Sequence, residues 1–176
     1  RLGISALETV YSAAERRMLL AGDHKTQVRI ADLYSIIPAI TGKVEMVYEG
    51  EQEGPFNVAN ILIGKAIRST FGLYFPVPED IKRKTESKTT NHYERIIKWF
   101  EKGKNTDIVY NMSDKEYAMA LNGIDGLATL VDSFQKDKGK MDTYLWMEFV
   151  LHGLAEYSKL GKSKLEKGTR FNDLLG

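Results

Sequence analysis

The sequence predicts an all-α fold, and three observations carry that prediction. Apolar residues recur at helical spacing nearly everywhere along the chain. Two S-x-x-E capping boxes, Ser5 with Glu8 and Ser113 with Glu116, mark helix starts, because each side chain satisfies a free amide of the first turn. Pro55, directly after Gly54, sits where the first residue of a helix belongs.

Taken in order, the first helix starts at Ser5 and carries Leu7, Val10, Tyr11, Ala14, Met18 and Leu20 as its apolar positions, until Gly22-Asp23 stops it. Gln27 to Arg29 is extended. A second helix from Ile30 carries Leu33, Tyr34, Ile36 and Ile37 and meets Pro38, which disfavours helix in the residue before it, so the helix kinks or restarts there, a restart running to about Tyr48. The Pro55 helix reaches Tyr74, and Phe75-Pro76-Val77-Pro78 is an extended connector. Glu79 to Thr90, with Lys82-Arg83-Lys84, reads as a mobile surface loop. A helix from Asn91 or His92 through Phe100 ends at Gly103, and Asp107 to Tyr110 is either a short strand or extended chain. Ser113 opens the next helix, Gly123 and Gly126 punctuate its end, and Leu127 to Phe134 is a short helix. After the solvated turn 136–140, Met141 to Leu160 forms a long, strongly apolar helix.

The composition sets limits. A chain of 176 residues, 43% apolar, can bury roughly 70% of its unfolded surface, enough for one sizeable core. Zero cysteines exclude a disulfide framework, a thiolate metal site and a cysteine nucleophile, and fit a reducing cytoplasm. With 25 basic and 24 acidic side chains the net charge is +1, which supplies no global attraction to nucleic acid or anionic lipid. No apolar run approaches the ~18 residues of a spanning helix. The chain opens on Arg1-Leu2-Gly3-Ile4-Ser5 without an initiator Met, so it reads as a segment that starts partway into something larger.

Three patterns invite a chemical reading. Gly161-Lys162-Ser163 resembles the end of a phosphate-binding G-x-x-x-x-G-K-[ST] loop, but Glu156 stands where the leading glycine belongs, and Gly64-Lys65-Ala66 and Gly103-Lys104-Asn105 fail likewise. Glu148, His152 and Glu156 share one helix face but climb about 12 Å along it, too far for three ligands to meet one ion. A two-ligand half site is geometrically open to them, but they read foremost as the polar stripe of an amphipathic helix whose other face buries Leu145, Phe149 and Leu151. Glu45, Glu49, Glu51 and Glu53 form the densest acidic run, either a solvated helix end or an acidic edge facing a partner. Lys159, Lys162, Lys164, Lys167 and Arg170 read as solvated tail cations, and Trp99 and Trp146 as core.

One resemblance spans much of the chain. Arg1-Leu2-Gly3-Ile4-Ser5-Ala6-Leu7-Glu8, then Ala13-Ala14-Glu15-Arg16-Arg17, Gly22-Asp23 and Val28-Arg29-Ile30-Ala31-Asp32-Leu33, resembles the lid of AAA+ ATPases of the magnesium-chelatase subunit I and MoxR-like branch. Ile37-Pro38-Ala39-Ile40-Thr41-Gly42-Lys43-Val44-Glu45, 48–55 and 147–154 resemble bacterial magnesium-chelatase-like proteins. The resemblance implies AAA+ lid helices over 1–48 and a C-terminal helical domain over 49–176, packed as a multi-helix bundle. It implies that Arg1 is the sensor 2 arginine, which reaches the γ-phosphate of ATP and couples nucleotide state to lid orientation. ATP and Mg2+ would then be bound mainly in an upstream core domain that carries the P-loop, so the segment alone would not hydrolyse ATP while the parent chain would be an ATPase. A homo-oligomeric ring and a partner with a von Willebrand A domain are further implications. The competing reading is a freestanding helical interaction or regulatory module that binds a protein through the 45–53 edge or the 82–90 loop. A helical enzyme ranks last, for want of a nucleophile-base pair at recognisable spacing.

Overall fold

The computed structural model describes residues 2–38, 54–78, 92–136 and 140–174. Among these residues are seven α-helices: α1 (Leu2–Ala21), α2 (Ile30–Leu33), α3 (Pro55–Phe71), α4 (Glu94–Glu101), α5 (Asp114–Asn122), α6 (Leu127–Phe134) and α7 (Lys140–Glu156). They also contain three strands, β1 (Thr106–Val109), β2 (Gly161–Leu165) and β3 (Gly168–Asn172), which form an antiparallel sheet in the order β1-β3-β2. The all-α expectation is therefore corrected: the fold is mostly helical but mixed, and the C-terminal part is not a pure helix bundle.

Local chemistry explains why the sheet escaped the helical reading. In β2, Gly161-Lys162-Ser163-Lys164-Leu165, the three central residues are exposed and polar, so there is no apolar alternation to read. The β2–β3 hairpin pairs Leu165 with Gly168 across a loop of Glu166 and Lys167, which lacks the Asn-Gly or Asp-Gly signature. Gly168 is required by space: a Cβ there would lie 2.4 Å from the Ile108 carbonyl oxygen of the neighbouring β1. Of the two alternatives for Asp107–Tyr110, the strand is the one present, registered Thr106 to Phe171 through Val109 to Gly168.

Helix α7 is the centre of the molecule. Its eight residues 147–154 are all buried, as expected of a helix covered on every side. On one side, α3 presents Ala59, Ile63, Ile67 and Phe71 at four-residue intervals, all buried. Phe71 stacks on Phe149 with centroids 5.6 Å apart, and a Cβ on Gly153 would meet the Phe71 ring at 2.1 Å, so that glycine lets the two helices close. Ile96 and Phe100 of α4, Leu121 of α5 and Leu127 and Val131 of α6 complete the core. Phe171 of β3 and Ile108 of β1 bring the sheet into the same core. Trp99 and Trp146 are half-buried and pack against it.

Two expectations at the first helix are also corrected. Helix α1 begins at Leu2, so Ser5 lies inside it and caps nothing; its carbonyl accepts from the Thr9 hydroxyl at 2.7 Å. Val10 and Ala14 are buried as expected, but Leu7, Tyr11 and Leu20 are exposed, as is Ile4. Gly22, at φ +71°, ends the helix where the sequence placed the stop.

Candidate functional site

The described residues carry their densest polar chemistry inside the protein, where α1, α2, α5 and α7 meet. Arg17, at the helical position following Val10 and Ala14, points into the buried face of α1. Its Nε and Nη2 donate to the two oxygens of Asp32 at 3.3 and 2.8 Å. Its remaining reach goes to the Thr26 hydroxyl and the Gln27 carbonyl, both at 2.8 Å, which fixes the extended segment between α1 and α2. Asp32 accepts a further bond from the amide of Arg29, 2.8 Å away, closing the first turn of α2 on itself.

Arg29 carries the network across to α5. Its guanidinium lies 4.0 Å from the centre of the Tyr117 ring and donates to the Met112 carbonyl at 2.8 Å and to Asp114 at 2.5 Å. Asp114 opens α5 behind the Ser113 N-cap, whose capping box with Glu116 forms as the sequence predicts. The Asp114 amide in turn donates to Asp23 at 2.9 Å.

Glu148 completes the junction from the central helix. It is 0% exposed, and its oxygens accept from the amides of Ile30 at 2.8 Å and Ala31 at 3.0 Å, the first free donors of α2. The Tyr117 hydroxyl adds a third bond at 2.7 Å. Burial, then the Glu148 charge, holds the Tyr117 phenol well above the ordinary tyrosine range, so it stays a donor. One turn on, His152 is 1% exposed, its Nε2 3.8 Å from Glu148, and its Nδ1 has no hydrogen-bond partner among the described residues.

The polar-stripe reading of Glu148 and His152 is thus overturned. An amphipathic helix would leave that face in water, but α7 is covered all round over 147–154, so both side chains are interior groups. Glu156, half-buried, pairs instead with Lys162 of β2 at 2.5 Å. Among the described residues no group of three histidine or carboxylate side chains is arranged to hold a metal ion. Arg1 and the acidic run Glu45, Glu49, Glu51 and Glu53 lie outside the described residues, as does the 79–90 loop. Of the tail cations, Arg170 is not merely solvated: it grips Asp107 through two 2.7 Å bonds across the β1–β3 pair.

The buried histidine predicts a pH dependence. Burial pushes the His152 pKa below its ordinary 6.5, against the opposing pull of Glu148. The unfolded chain therefore takes up this proton first as pH falls, and stability declines below about pH 6.5. Urea melts between pH 7.5 and 5.5 should show that decline, and a His152→Gln variant should flatten it. Asp107 and Glu116, both held low by their partners, contribute only nearer their ordinary values of 3.8 and 4.5.

What this arrangement does chemically is lock. Three donors converge on one buried carboxylate, and two guanidiniums tie three helices and a loop, with no nucleophile among them. Comparison with protein-family models, with curated proteins and with solved structures finds no match for this chain. No helix among the described residues is long and apolar enough to cross a membrane.

Proposed function

We propose that this chain is the lid and C-terminal region of a magnesium-chelatase-like AAA+ ATPase, which couples ATP binding and hydrolysis in an upstream core to the remodelling of a partner protein. The observation that carries the proposal is the buried junction. Arg17, Asp32, Arg29 and Glu148 tie the helix-turn-helix of the lid resemblance to α5 and α7. A lid fixed in this way would move as one piece with the body behind it. The reading also rests on the order of elements here: a helix, the Gly22 turn, an extended segment, then the four-residue α2 and a 3-10 turn over Tyr34–Ile36.

In this reading Arg1 senses the γ-phosphate, and ATP and Mg2+ are held mainly by the core. The protein works in the cytoplasm as a homo-oligomeric ring, with a von Willebrand A domain protein as a partner class. The exposed apolar residues Ile4, Leu7 and Tyr11 share one stripe of α1, at the end where Arg1 precedes it, which suits packing against the core. The same stripe favours the second reading, a freestanding interaction module that buries it against another protein.

ATP turnover by the intact parent, compared with its Arg1→Ala variant, separates the two. The motor reading predicts that Arg1→Ala loses turnover at least tenfold while largely retaining nucleotide binding. Unchanged turnover would strip Arg1 of the sensor role, and a parent without any ATPase activity would leave the interaction module.

A further inference from the structure

Outside the buried junction, a cleft of about 570 Å³ opens between α1, the turn after α2, the start of α3 and the β2–β3 hairpin. That volume is in the range of small-molecule sites. On its α1 wall, Ala13, Arg16, Arg17 and Leu20 follow three-and-four spacing and so share one face. Opposite them the hairpin brings Lys164, Glu166 and Lys167, with its turn tied to the end of β1 by a 2.9 Å bond from the Tyr110 amide to the Lys167 carbonyl.

The charges do not balance. Arg17 and Asp32, both on the wall, neutralise each other in their bidentate pair. Arg16, Lys164 and Lys167 then face a single carboxylate, Glu166, and none of the three has an ion-pair partner among the described residues. The cleft is left with an excess of two positive charges. Its lining is aromatic as well as basic, with Tyr34, Tyr110 and Phe56, and Lys164 already rests over the Phe56 ring at 3.3 Å.

We propose that this cleft binds a small phosphate ester with an aromatic body. A phosphate monoester puts two negative charges on one compact group, which matches the excess, and Arg16 supplies the planar donor fork suited to its oxygens. A carboxylate brings only one charge, and an uncharged aromatic would leave the three cations unanswered. The aromatic body covers Tyr34, Tyr110 and Phe56. The site is formed by the far end of α1 from Arg1, so it stands or falls independently of the ATPase reading.

The test titrates the 176-residue chain with 1-naphthyl phosphate, using inorganic phosphate and 1-naphthol as the charge-only and ring-only probes. The expected result is saturable binding of one ester per chain, with both partial probes weaker. Arg16→Gln and Lys167→Gln, at exposed side chains, should each weaken the ester about tenfold, as removal of one charged hydrogen bond does. Lys102→Gln and Lys115→Gln, at exposed lysines away from the cleft, should bind as before. Absence of saturation, equal affinity for 1-naphthol or for inorganic phosphate, or unchanged affinity in the two cleft variants would each overturn the proposal. So would loss of binding in Arg1→Ala, which would move the anion to the other end of α1. Tighter binding of a synthetic peptide of residues 44–55 than of the ester would overturn it in favour of an acidic peptide.

Discussion

Replacing Glu148 with alanine is expected to cost about 3–5 kcal/mol of folding stability, a large part of what holds a domain of this size together. The carboxylate accepts from both the Ile30 and the Ala31 amides, and it also takes the Tyr117 hydroxyl. Truncation leaves these donors in a dry interior, where each unmade bond costs about 1–3 kcal/mol, and opens a cavity beside His152. Glu148→Gln keeps the volume and one acceptor oxygen but puts an amide NH2 where the other oxygen met a donor, so it should fall between wild type and alanine. Urea melts of the three proteins give the order directly. Lys98→Ala, which removes an exposed pair with Glu94, provides the contrast and should melt like wild type. A Glu148→Ala protein within 1 kcal/mol of wild type would mean that the carboxylate is not the buried anchor described above.

The second large effect is expected at Arg17. Arg17→Met keeps the apolar stem but leaves Asp32, 5% exposed, with only the Arg29 amide as a donor. Breaking a buried pair from one side costs about 3–5 kcal/mol, because the remaining charge loses its partner and cannot reach water. Adding Asp32→Asn to Arg17→Met should cost clearly less than the sum of the two single changes, with a coupling of about 2 kcal/mol from the double-mutant cycle. Strict additivity would show that the two side chains do not interact. The same change removes the Arg17 bonds to the Thr26 hydroxyl and the Gln27 carbonyl, so the 24–29 segment should become the first to exchange its amides.

Both effects involve residues whose role the sequence hid, for a common physical reason. Local punctuation was legible: Gly22 ends α1, Pro55 opens α3, and the Ser113/Glu116 box opens α5, each acting through its immediate neighbours. The Ser5/Glu8 box shows the limit, since the same pattern inside a longer helix has no free amides to cap. The hairpin was missed because β2 is an exposed edge of lysine and serine and its turn lacks glycine or asparagine at its centre. Glu148 and His152 were misplaced because four-residue spacing gives the same pattern for a solvated stripe and for a buried ladder. A better signal was present: the run Tyr144 to Leu154 is apolar on all sides, which marks a central helix and draws its polar residues inside. Arg17 carried a similar signal, a cation in register with Val10 and Ala14. Its partner Asp32 is 15 residues away, and Glu148 lies 118 residues from the amide it caps, separations that no local pattern reports.

The first two helices and the body behind them form one mechanical unit, joined at Glu148. Native-state hydrogen exchange at the Ile30 and Ala31 amides tests it most directly. Both are expected to exchange as slowly as Val150 and Leu151 in α7, with the same dependence on urea, because they open only when the central helix does. Fast exchange at Ile30 and Ala31 while α7 stays protected would contradict it, and would make the helix pair a separately opening element.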